Sequence, residues 1–132
     1  MVKEKALEYF KNGYSCSECI VKASIDAGIC DEALLPCATT FSAGMSSGCV
    51  CGAVSGAQLV LGSVFGRNNK YGNKISAREK AAALVEEFIK RNKITCCRVL
   101  CSGLEGSAKK EHCSKLVADS CEILEGLLKV KV

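Results

Sequence analysis

In residues 2–12, Ala6, Tyr9 and Phe10 recur at helical spacing, and the pattern stops at Gly13, a residue suited to the left-handed position after a helix. Ser15 and Glu18 then stand at capping-box spacing, Ser15 as N-cap and Glu18 at the third helical position, and open a second helix that ends near Gly28. Its inward face is expected to carry Cys16, Cys19, Ile20, Ala23 and Ala27. Residues 30–48 hold the one proline, Pro36, and a run rich in Gly and Ser, which predicts a connector with a short helical turn around residues 31–40. Residues 51–65 are apolar nearly all round, as in a helix at the middle of a bundle. Beyond a polar loop at residues 67–74, Ser76 and Glu79 form a second capping-box pair. They head a fourth helix that ends near Asn92 and turns Ala83, Val85, Phe88 and Ile89 inward. Residues 96–100 predict a brief helical turn. The last helix starts near His112, with Leu116, Val117, Ser120, Cys121, Leu124, Leu127 and Leu128 on one stripe. No stretch alternates with the period of a strand. The expectation is an all-α fold, a single-domain helical bundle of about five helices over residues 1–132.

Composition narrows this picture. A chain of 132 residues buries roughly two-thirds of its unfolded surface, so it does not need cysteines as staples. Hydrophobic residues make up 48% but aromatics only 5%, which leaves Ala, Leu, Val, Ile and Cys to build the core. The net charge of +4 is spread without a dense basic run, which argues against a nucleic-acid partner; Lys109, Lys110 and residues 70–80 read as solvated surface. No apolar run reaches the roughly 18 residues that a membrane span needs, and the longest, residues 50–65, is broken by three glycines. The opening residues are charged and helical, with no apolar signal region, so a soluble cytoplasmic protein is expected. Eleven cysteines in a reducing compartment point to metal binding or electron exchange more than to permanent disulfides.

Cys16, Cys51, Cys97 and Cys113 each fall in the first turn of an expected helix. Free N–H groups and the positive end of the helix dipole favour an anion there, and thiols in such positions have lowered pKa values. Four such termini brought together would make a pocket suited to a negatively charged iron–sulfur cluster. Gly48, Gly52 and Gly56, spaced by four, would let backbone approach the bulky group, although close helix packing explains the same spacing.

Around these positions the chain resembles the redox-active protein family named for its C_GCAxxG_C_C cysteine pattern. The resemblance covers nearly the whole length. It is carried by Gly13-Tyr14-Ser15-Cys16, by Gly48-Cys49-Val50-Cys51-Gly52-Ala53-Val54-Ser55-Gly56-Ala57, by Ile94-Thr95-Cys96-Cys97-Arg98-Val99-Leu100, and by Cys113-Ser114-Lys115-Leu116-Val117. It implies a redox or prosthetic-group function, with Cys16, Cys51, Cys97 and Cys113 as the shared cysteines and Cys96 as a substitute for its neighbour Cys97. The chain departs from the pattern in its seven further cysteines. Cys19, Cys49, Cys96 and Cys101 adjoin the motifs, so eight sulfurs could serve two clusters, one larger cluster, or one cluster beside a redox-active thiol pair. Cys30, Cys37 and Cys121 read as packing or connector residues, and His112 as a surface or capping residue.

The leading expectation is therefore an iron–sulfur protein that passes electrons to a redox partner protein, with its cluster type left open. A thiol–disulfide oxidoreductase using Cys16 and Cys19 is one alternative, and a zinc- or copper-binding delivery module is another. Whether the chain is an enzyme is left open. A homodimer is compatible with this small-residue bundle.

Overall fold

The structure, a computed structural model, describes residues 2–129. Among these residues it has seven α-helices: α1 (Val2–Lys11), α2 (Cys16–Asp26), α3 (Leu35–Ala38), α4 (Gly52–Phe65), α5 (Ile75–Asn92), α6 (Cys97–Leu100) and α7 (Gly106–Lys129). The all-α class is as expected. The five long helices are those read from periodicity, and the two four-residue helices stand where helical turns were expected. None of the helices is long and apolar enough to cross a membrane.

α4 is the hub, packed against α2, α5 and α7. Gly52, Ala53, Val54, Gly56, Ala57, Val60 and Leu61 are all buried on it. Small residues let the neighbours close in. Gly56 faces the backbone of α2, where an added Cβ would stand 2.8 Å from the Ser17 carbonyl oxygen. Two buried hydroxyls tie helices together: Ser120 on α7 donates to the Ala53 carbonyl of the hub at 2.6 Å, and Ser17 on α2 donates to the Ala38 carbonyl of α3 at 2.7 Å. Each satisfies a polar group that would otherwise be costly to bury.

The expected capping box of α2 is present. The Glu18 amide donates to the Ser15 hydroxyl at 3.3 Å, and the Ser15 amide donates to the Glu18 carboxylate at 3.0 Å. The one expected at Ser76 is not. The Ile75 amide donates to the Asn73 side chain at 2.8 Å, an Asx turn that starts α5 earlier and leaves Ser76 inside its first turn. The buried residues of α5 are Leu84 and Phe88, whereas Ile89 is exposed. Ala27, expected inward on α2, is exposed at the helix end.

α7 begins six residues before His112. Residues 106–111 carry no apolar periodicity, yet Ala, Lys and Glu are strong helix formers, and a solvated first turn and a half needs no core face. Cys113 therefore lies about two turns inside the helix.

Candidate functional site

Three local devices bring the cysteine motifs together. At α2, the capping box places Cys16 at the first helical position. Its sulfur lies directly against Gly52, in the space a Cβ on that residue would take. At α4, Cys51 is the N-cap, with its carbonyl accepting from Val54 at 2.9 Å. The third device is an isolated antiparallel bridge between Val50 and Cys96. In it the Cys51 amide donates to the Thr95 carbonyl at 2.7 Å, and the Cys97 amide donates to the Cys49 carbonyl at 2.5 Å. The bridge seats α6 beside the start of α4.

The preceding loop winds left-handed, with φ of 53°, 65°, 60° and 58° at Ala43, Gly44, Met45 and Ser46. Only glycine fits at its second position. A Cβ on Gly44 would meet the Cys49 amide nitrogen and stand 2.8 Å from the Cys97 Cβ.

Cys16, Cys51, Cys97, Cys101 and Cys113 line one cavity of ≈ 310 Å³. The Cys101 and Cys113 sulfurs are 3.8 Å apart. Among the described residues, Phe10, Leu116, Ser15, Ser42, Ala43 and Gly52 also line it, and Lys109 is the charged one. Phe10 is held from behind by Lys110, whose ammonium donates to the Phe10 carbonyl at 2.9 Å and sits 3.8 Å from its ring centroid.

The remaining candidates face elsewhere. Cys19 is fully buried in the core, and its thiol donates to the Cys16 carbonyl at 3.3 Å. Cys96 donates to the Gly48 carbonyl at 3.4 Å, so Cys97 is the member of that adjacent pair on the cavity. Cys49 is exposed. Gly48 faces the Arg98 side chain, and Gly56 packs on α2, so of the three glycines only Gly52 borders the cavity. The repeat of glycines at Gly56 is thus helix packing. Cys30, Cys37 and Cys121 lie away from the cavity, as does His112.

Burial governs the thiols. It pushes Cys51 up to about 12, against the amides of Ala53 and Val54, which favour the thiolate. Burial and then the nearby Cys101 push Cys113 up to about 12. Cys97 is raised for the same two reasons, and Lys109 offsets this only in part. The expectation of lowered values at helix starts is therefore reversed for these thiols, because desolvation of a charged sulfur outweighs the dipole at a helix end. For Cys113 the dipole argument also fails on position, since α7 starts two turns earlier. Whatever binds these sulfurs as thiolates must displace their protons.

Lys109 is exposed, as its reading as solvated surface implies, but its place on the cavity rim was not anticipated. A helix extended back to Gly106 puts Lys109 four residues before Cys113, on the same face. That spacing carries a signal only once the helix is known to begin at Gly106.

Fold and cavity together define a thiol-rich all-α bundle with its sulfurs gathered from separate elements. Residues 14–127 match the family described as "Putative redox-active protein (C_GCAxxG_C_C)", and the chain belongs to that family. Membership supports a redox role. Neither the curated proteins nor the solved structures searched gave a match.

Proposed function

We propose that the cavity holds an iron–sulfur cluster and that the protein transfers electrons to and from a partner protein in the cytoplasm. One observation carries this reading: Cys16, Cys51, Cys97 and Cys113, drawn from four helices or their caps, surround a single cavity of ≈ 310 Å³. The donor set fits. It is all sulfur, its walls are otherwise apolar or hydroxylic, no carboxylate among the described residues lines it, and Lys109 offers positive charge to a group of net negative charge. Cys101 is a fifth sulfur within reach of the same space.

A single zinc or copper ion is the weaker fit. Among the described residues, no three His, Cys, Asp or Glu side chains are grouped to hold one ion. Thiolates on one tetrahedral zinc at ~2.3 Å stand about 3.8 Å apart. The Cys101–Cys113 pair stands at that distance and Cys97 also interacts with Cys101, while Cys16 and Cys51 contribute to the wall of a larger space. Bound there, a cluster supplies reversible one-electron transfer. The chain's own part is to exclude water with Phe10 and Leu116 and to present the sulfurs in one orientation.

The test is anaerobic purification with iron, sulfide, zinc and copper counted per chain. Iron and acid-labile sulfide in comparable amounts are expected. Zinc or copper without sulfide would reject the reading, as would a chain that takes up neither iron nor sulfide on reconstitution.

A further inference from the structure

We propose that Cys101 and Cys113 form a redox-active dithiol that reduces a small anionic disulfide docked between Arg98 and Lys109. The pair is set for exchange by position. Their sulfurs are already in contact at 3.8 Å, and a disulfide requires about 2.05 Å. Cys101 caps the single turn of α6 and Cys113 lies on α7. The connection between them contains Gly103 and Gly106 at φ of +76° and +57°, and no neighbouring atom stands within 4 Å of where either Cβ would be. This joint can take up the remaining approach.

The two sulfurs are not equivalent. Cys113 borders the inner cavity alone, whereas Cys101 also lines an adjoining cleft of ≈ 390 Å³. Cys97, Ser46, Ser47, Arg98 and Lys109 line that cleft with it, and among the described residues the cleft has two cations and no acidic residue. The Arg98 guanidinium is fixed there by donating to the Ser47 carbonyl at 2.8 Å. A disulfide bearing carboxylates is the substrate this charge selects. The sequence had pointed instead to Cys16 and Cys19, but Cys19 is sealed in the core.

The reaction balances without a further oxidant. The Cys101 thiol loses its proton and its sulfur attacks one sulfur of the external disulfide. That S–S bond breaks, and the departing half takes up a proton as a free thiol. The Cys113 sulfur, losing its proton, then attacks Cys101 from the inner side and expels the second half as another thiol. Two protein thiols are oxidised to a disulfide and one external disulfide is reduced to two thiols. The step needs Cys113 as a free thiol, so it belongs to the cluster-free chain and rests on the sulfur contact rather than on the cluster.

The test uses the full chain carrying Cys37→Ser and Cys49→Ser, which removes its two exposed thiols, incubated with glutathione disulfide and a chelator under nitrogen. Both halves of the glutathione disulfide should be released, and mass spectrometry should find the peptide joining Cys101 to Cys113. Cys113→Ser should release one half and retain the other on Cys101. Replacing Arg98 and Lys109 by Gln should slow glutathione disulfide about three- to tenfold and leave the cationic disulfide cystamine unslowed. Circular dichroism of each variant establishes that it is folded. A bond between Cys97 and Cys101, or glutathione left unresolved on Cys101 in the folded parent, would overturn the dithiol. Equal rates for the two disulfides, unchanged by the double replacement, would overturn the anionic substrate. A chain that loads iron and sulfide yet, once stripped of them, fails this exchange sinks this inference alone. One that exchanges but never loads sinks the cluster alone.

Discussion

The Cys16 sulfur rests against the α-carbon of Gly52, on the one side of that residue where any other amino acid would carry its Cβ. A residue with no side chain thus sets the position of a sulfur on a different helix. Gly52→Ala should push Cys16 off the cavity wall and reduce bound iron and sulfide. Overpacking of this kind costs about 1–3 kcal/mol, so the protein should still fold. Iron per folded chain, measured beside far-ultraviolet circular dichroism, checks both statements.

Gly56 should behave in the opposite way. Its neighbour is the backbone of Ser17, with the carbonyl oxygen 2.8 Å and the α-carbon 2.9 Å from an added Cβ. Backbone cannot rotate aside as a side chain does. Gly56→Ala is expected to lower unfolding free energy by about 1–3 kcal/mol in urea titration while iron per folded chain is unchanged. Loss of iron without loss of stability would place this residue at the cavity after all.

Cysteine substitutions separate ligand from core. Cys51→Ser should abolish most iron and sulfide uptake, because a hydroxyl replaces a soft sulfur poorly. Cys19→Ser should retain uptake, since the buried Cys19 thiol only donates to the Cys16 carbonyl and a hydroxyl can do the same. Metal analysis of the two folded variants checks the pair. Full uptake in Cys51→Ser would remove this sulfur from the ligand set.

The capping box adds a pH dependence. Hydrogen bonds from the Ser15 amide and the Thr39 hydroxyl hold the Glu18 carboxyl below its ordinary value. Below that value the unfolded chain binds the proton before the folded one does, so stability rises with pH across this range. The contribution is present above about pH 4.5 and is lost as pH falls through the folded pKa. Glu18→Gln should narrow the gap between urea midpoints at neutral and acid pH. An unchanged gap would show that this carboxylate contributes nothing to acid sensitivity.

The contrast between Ser15 and Cys97 shows where the sequence was legible. Ser15 and Glu18 bond across one helical turn, so their spacing contains the interaction. Cys51–Phe65 also read correctly as the central helix, because an apolar surface all round has few other resolutions. The choice between Cys96 and Cys97 depends instead on the bridge to Val50, a contact between segments far apart in the chain that periodicity does not encode. Cys113 went to the wrong helical position for a related reason. Solvated residues 106–111 leave no apolar stripe, so the helix start was invisible although the stripe beyond it was not. Thiol acidity was misjudged because a dipole can be inferred from a helix start, whereas burial depends on what the rest of the chain brings to cover it.

The bridge at Val50 has a consequence for how assembly of the site can be watched. Amides at the start of a helix have no carbonyl within that helix to bond. Those of Cys51 and Cys97 are bonded across the chain, to Thr95 and Cys49. Their hydrogen–deuterium exchange is therefore insensitive to the integrity of either helix alone and slow only while the two segments are joined. Two amide signals thus time the closing of the sulfur-lined cavity, and they should exchange together, as one cooperative unit, each time α6 leaves the mouth of α4.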